Sequence, residues 1–164
     1  MISRKSKVKY EIISCSPDQT YEMGRTLGRL LKNGDLILFT GDLGAGKTMM
    51  IKGIADGLGI EEYNITSPTF TVINEYQGRF KLNHIDLFRI NNVDDLYTTG
   101  IEEYFSSNGI TAIEWAERIE ALLPDEFLRI NILIEGETDR RIFIEGCGER
   151  YKWLAKNLKD EFNK

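Results

Sequence analysis

The chain is poor in residues that staple or ligate. Its 164 residues include two cysteines, Cys15 and Cys147, and one histidine, His84. The cysteines form no C-x-x-C pair, so no ligand set for structural zinc is present. A reduced, cytoplasmic protein is the default expectation. The three prolines, Pro17, Pro68 and Pro124, fall where turns or loops are expected. No linker, internal repeat or low-complexity segment interrupts the chain. The longest apolar run, residues 36–39, is far too short to span a bilayer, so no membrane partner is expected. The basic start (Arg4, Lys5, Lys7, Lys9) is followed by no apolar stretch, and a cleaved secretory leader is not expected. Positive charge is also short: 21 Lys and Arg against 26 Asp and Glu give a net charge of −5. This argues against a protein that coats a polyphosphate backbone. It leaves room for a partner that itself binds nucleic acid.

What is present is ordinary for a globular domain: 41% hydrophobic and 29% charged residues. The length predicts one domain over residues 1–164, with a short basic segment at 1–7. A chain of this size buries roughly two-thirds of its unfolded surface without staples. It has no room for a catalytic domain plus a large specificity domain.

Pattern and punctuation predict strands at 7–14, 35–40, 69–76, 79–86, 109–114, 127–134 and 140–145. Helices are expected from Ser16-Pro17-Asp18 to about Lys32, over 47–58, 93–97, about 101–105, 116–123 and 149–162. In the last helix, Trp153, Leu154 and Leu158 are expected on one side. The alternation predicts an α/β fold. The expected hairpins, one around Gln77-Gly78, point to a mixed, mostly parallel central sheet flanked by helices.

Gly41-Asp42-Leu43-Gly44-Ala45-Gly46-Lys47-Thr48 matches G-x-x-x-x-G-K-[ST] at every fixed position. It follows an apolar strand and opens a helix, the context this phosphate loop (P-loop) requires. Glycines let backbone N–H groups turn inward into a concave anion site, and the helix N-terminus adds partial positive charge. Lys47 then reaches the β and γ phosphates, and the Thr48 hydroxyl ligates Mg²⁺.

Mg²⁺ also calls for a carboxylate at the end of a neighbouring apolar strand. Asp86 and Glu114 both fit; one would hold the metal and the other orient the attacking water. His84 shares a strand face with Asp86 and is either a packing residue or a catalyst. Ser67-Pro68-Thr69-Phe70-Thr71 is either a γ-phosphate sensor or a turn before an edge strand. Of Arg140 and Arg141, one could reach the nucleotide. No Asn-Lys-x-Asp tetrad is present to read guanine, so ATP is the expected nucleotide. Residues 94–126 carry nine acidic groups and one basic group, Arg118. That face is either merely solvated or suited to a basic partner, and it would repel bare tRNA.

The ordered set Gly41–Thr48, Ser67-Pro-Thr-Phe70, His84-Ile-Asp-Leu-Phe-Arg89 and Ile113-Glu-Trp115 resembles the TsaE (YjeE) family, over about Ser14 to Arg141. The resemblance implies a P-loop NTPase fold that takes ATP or ADP with Mg²⁺ and has weak intrinsic ATPase activity. It implies the partners TsaD and TsaB, with tRNA contacted only through the complex. TsaD transfers the threonylcarbamoyl group to A37 of tRNAs reading ANN codons, and hydrolysis supports repeated turnover.

By motif position, Asp42, Gly44, Ala45, Gly46, Lys47, Thr48 and Met49 would bind the nucleotide. Thr48 and Glu114 would hold the metal, and Asp86 would be catalytic or support it. Ser67 and Thr69 would lie in a switch-like loop, with Thr20 and Arg141 near the adenine. Met49 stands where the family often has Thr or Ser, which implies lower nucleotide affinity; Phe88 replaces a common Tyr. A small-molecule kinase and a non-hydrolysing nucleotide-sensing adaptor are the alternatives. Lys47→Ala is expected to abolish phosphate binding, read by calorimetric titration with ADP.

Overall fold

The computed structural model describes residues 6–61, 65, 73–92, 94–97, 100–106 and 108–163. Along the chain run β1 (Lys7–Ser14), α1 (Pro17–Leu30), β2 (Leu36–Thr40), α2 (Lys47–Gly57), β3 (Ile73–Gln77) and β4 (Lys81–Asp86). Then follow α3 (Asp94–Tyr97), β5 (Ile110–Glu114), β6 (Phe127–Ile134), β7 (Arg140–Cys147) and α4 (Glu149–Phe162). Two 3₁₀ segments, Ile101–Phe105 and Ala116–Leu122, flank β5. The expected loop at Ser67 and Thr69, and residues 69–72 of the expected strand, lie outside the described residues.

The strands form one sheet in the order β1-β7-β6-β2-β5-β4-β3. Its four central strands, β6, β2, β5 and β4, run parallel. Antiparallel pairs, β1 with β7, β7 with β6 and β3 with β4, complete it on both sides. The sheet is therefore mixed, and the carboxyl ends of β2, β4 and β5 meet at one edge, where ligands bind in open α/β sheets.

β2 is apolar throughout because it is covered on both faces. Ile37 and Phe39 face a core with Met23, Leu27, Met50 and Ile54 of α1 and α2, and Leu154 and Leu158 of α4. Leu36 and Leu38 face a second core with Ile85, Leu96, Ile101, Ile113 and Ile119. Burying such a side chain stabilises the fold by about 1.5–3 kcal/mol. Among the described residues no helix is long and apolar enough to cross a membrane.

Helix α1 begins as its sequence predicts: the Ser16 hydroxyl accepts the Gln19 amide at 3.1 Å. It ends two residues before Lys32, because Leu31 turns extended (ψ 150) and buries its side chain. In α4, Leu154 and Leu158 are buried with Tyr151 and Ala155, but Trp153 is 47% exposed. One position from Leu154 turns a side chain about 100° around a helix, so Trp153 leaves the apolar stripe and stacks on Arg150 instead. The start of β2 is held at its far end from the loop. Asp35 takes two bonds from Arg150 (2.7 and 3.1 Å), and the Tyr151 hydroxyl accepts the Leu36 amide at 2.9 Å.

Helices α1 and α2 touch backbone to backbone. A Cβ on Gly24 would lie 2.1 Å from the Met50 carbonyl oxygen, and one on Gly28 2.4 Å from that of Ile54. Reciprocally, a Cβ on Gly53 would lie 2.1 Å from the Tyr21 oxygen and one on Gly57 2.4 Å from that of Arg25. Both glycine pairs are four residues apart, hence on one helix face. Tyr21 reinforces the contact by donating to Asp56 at 2.8 Å. Gly53→Ala should cost about 2–3 kcal/mol by overpacking and lower the melting midpoint by roughly 5–10 °C in a thermal scan.

Candidate active site

The loop between β2 and α2 is shaped by its glycines. Gly41, Gly44 and Gly46 have φ of 138°, 80° and 112°, a region that side chains with a Cβ avoid. At Gly41 a Cβ would also stand 2.4 Å from the Ile132 carbonyl oxygen, so the loop lies directly on β6. Gly46 caps α2 with no side-chain acceptor, which leaves the first-turn amides for an anion.

Lys47 is 4% exposed. Its ammonium donates to the Gly41 carbonyl and sits 3.6 Å from the Trp115 ring centroid. Burial lowers its pKa, against the charges of Glu114, Glu117, Asp86 and Asp42. A carbonyl and a ring face are weaker partners for a cation than phosphate oxygens, so an arriving phosphate can displace them.

Thr48 donates its hydroxyl to Glu114 Oε1 at 3.0 Å. The other oxygen, Oε2, lies 2.6 Å from His84 Nε2, with both side chains buried. A carboxylate only accepts, so Nε2 carries the proton of that bond. Asp86 lies opposite Glu114 in the parallel register of β4 and β5, and its Oδ1 accepts the Phe88 amide at 3.0 Å. Its pKa is raised above 3.8, first by burial and next by Glu114. The Phe88 amide, His84 and Lys47 oppose that shift.

These residues form a hard-oxygen donor set: one hydroxyl and two carboxylates at neighbouring strand ends. Among the described residues no group of three His, Cys, Asp or Glu could hold a metal alone. The set fits Mg²⁺, which completes its shell with phosphate and water oxygens.

The remaining predicted positions separate. Thr20 is buried, its hydroxyl 2.8 Å from that of Ser14 and its methyl against Gly46. Thr20 and Met49, with Thr138, Arg140 and the backbone of Gly44, Ala45 and Gly46, wall a pocket of about 160 Å³ beside the loop. Arg141 faces away from that pocket and pairs with Glu135 at 2.7 Å and Glu11 at 3.4 Å. Arg140, on the other face of β7, reaches the loop.

Sequence reasoning gave no role to Trp115. It is the sole non-glycine residue with positive φ (61°) among the described residues. That kink turns the chain away from β5 and places the indole over Lys47, beside Phe88 (5.2 Å) and Arg118 (5.4 Å). Its only signal in the sequence is its place after Glu114.

A carboxyl whose pKa is raised by folding binds its proton more tightly in the folded state. Its penalty is therefore full at neutral pH and absent below the unfolded value. Asp86→Asn keeps the oxygen that accepts the Phe88 amide and removes the charge. It should raise the melting midpoint of the nucleotide-free protein at pH 7, a gain that fades toward pH 3.8. Thermal scans across that range check this, and a gain independent of pH would reject it.

The chain is similar to known proteins in sequence and in overall fold. The sequence model of the family described as "Threonylcarbamoyl adenosine biosynthesis protein TsaE" matches residues 14–142. The tRNA threonylcarbamoyladenosine biosynthesis protein TsaE of Bacillus subtilis is 40% identical over 144 residues, 87% of this chain and 89% of that protein. The protein of the same name from Treponema pallidum is 39% identical over 132 residues, 80% of this chain and 97% of that one. The crystal structure of Bacillus subtilis YdiB superposes with a TM-score of 0.78 at 35% identity, covering 95% of this chain and 97% of its own. With the matched region spanning the loop, both carboxylates and His84, the chain belongs to the TsaE family of tRNA threonylcarbamoyladenosine biosynthesis proteins.

Proposed function

We propose that this protein is a Mg²⁺-dependent ATPase that acts with TsaD and TsaB. The three form the threonylcarbamoyl modification at A37 of tRNAs reading ANN codons, and ATP hydrolysis supports repeated turnover. The observation that carries the reading is the Thr48–Glu114–His84 chain at the mouth of a glycine-shaped phosphate loop. In this reading, the backbone of Gly44, Ala45 and Gly46 receives the phosphates, and Lys47 leaves Gly41 to neutralise their charge. Thr48 and Glu114 hold Mg²⁺, which supplies charge neutralisation at the phosphate oxygens when bound. Asp86 orients the attacking water, and its raised proton affinity suits it to share that water's proton. The missing Asn-Lys-x-Asp tetrad favours ATP over GTP.

The acidic stretch supports a basic protein partner. Glu114 is buried in the site, but Asp94, Asp95, Glu102, Glu103, Glu117, Glu120, Asp125 and Glu126 are exposed.

The decisive assay follows tRNA modification over many turnovers with TsaD, TsaB and threonylcarbamoyl-AMP, with and without this protein and ATP. Loss of turnover when either is omitted is expected; independence of both would sink the proposal. Glu114→Ala and Asp86→Ala should lower hydrolysis more than they weaken ADP binding, and equal losses would reject their catalytic roles. Phosphate transfer to a metabolite acceptor would point to a kinase instead, and nucleotide binding with no phosphate release to an adaptor.

A further inference from the structure

Arg140 opens β7 on the face that carries Ile142 and Ile144 into the helix-side core. Its guanidinium bonds only to carbonyl oxygens. Nε donates to Ala45 at 2.9 Å, and one terminal nitrogen donates to Gly136 and Asp139, each at 2.9 Å. Longer contacts reach Glu137 (3.5 Å) and Gly44 (3.4 Å). Among the described residues Arg140 forms no ion pair, so its charge is left to act on the loop.

The peptide that joins Ala45 to Gly46 is a plane whose C=O and N–H point in opposite directions. Its amide belongs to Gly46, whose φ of 112° lies where glycine moves freely, so that residue's own backbone preference does little to hold the plane. The bond from Arg140 holds the carbonyl toward β7, so the Gly46 N–H points the opposite way. From this geometry we infer that Arg140 is a positioning residue of the phosphate loop, fixing the Ala45–Gly46 peptide so that the Gly46 amide is presented to a phosphate. Because the same guanidinium staples the 136–139 turn, the β6–β7 hairpin and the loop are one mechanical unit. The inference rests on the nucleotide-binding reading above.

The test is calorimetric titration of MgADP into wild type, Arg140→Ala and Arg140→Gln, with thermal scans of each. Loss of a charge-assisted hydrogen bond should weaken ADP binding by about tenfold in Arg140→Ala. Free guanidinium ion at millimolar levels should restore most of that affinity in Arg140→Ala and leave wild type unchanged. In the nucleotide-free state, the Gly46 amide should exchange with deuterium faster in the variant. Should Arg140→Ala fail to fold, Arg140→Gln must show the weakened binding and the faster exchange. ADP binding within about twofold of wild type in a folded variant, or a loss that guanidinium leaves unrepaired, overturns the inference. If wild type itself binds no ADP, the nucleotide reading falls first, and unaltered Gly46 exchange in the variant would still count separately against Arg140.

Discussion

Helix α2 can sit where it does only because α1 lets it approach to backbone contact. Gly24 and Gly28 on one helix and Gly53 and Gly57 on the other leave no side chain between them, and each places its Cα against a carbonyl of its neighbour. The first turn of α2 is the wall of the phosphate loop, so this contact fixes the position of Lys47 and Thr48 relative to the sheet. At the other end, Asp35, Arg150 and Tyr151 hold the start of β2. Strand and helix are thus each anchored away from the loop, and the loop's shape is left to its own glycines.

On that frame the site concentrates negative charge. Glu114 and Asp86 stand side by side at the ends of β5 and β4, with one ammonium, Lys47, nearby. Burial first, and the neighbouring charge of Glu114 next, make Asp86 hold its proton more tightly than a free carboxyl. The Thr48 hydroxyl and His84 each satisfy one oxygen of Glu114, so the carboxylate is pinned in one rotamer. Two carboxyl groups placed so close cost stability locally, and the oxygens they present fit a divalent cation.

Much of this was legible in the sequence. The G-x-x-x-x-G-K-T spacing after an apolar strand located the loop, and Asp86 and Glu114 were recognisable as acids closing apolar strands. Residues 149–162 read as a helix and are one. Other features were not legible. The glycines of α1 and α2 read locally as weak helix formers, because their use appears only when a second helix arrives. Trp153 read as part of an apolar stripe and is exposed, since helical phase, not hydrophobicity, chose which side chains face the sheet. Arg140 and Arg141 are indistinguishable as letters; the two-residue period of a strand sends one toward the loop and the other to Glu11 and Glu135.

The sequence alone determined the strand–loop–helix unit with Lys47 and Thr48 in it, because glycine torsions, an apolar run and a helix start act within a few residues. Tertiary structure alone decided which carboxylate meets Thr48, what His84 touches, where the Trp115 ring lies and which arginine braces the loop. The contacts of Glu114 with Thr48 and His84 and of Arg140 with Ala45 join residues 30 to 95 positions apart. They follow from the register of neighbouring strands and the close approach of two helices, which no local pattern encodes.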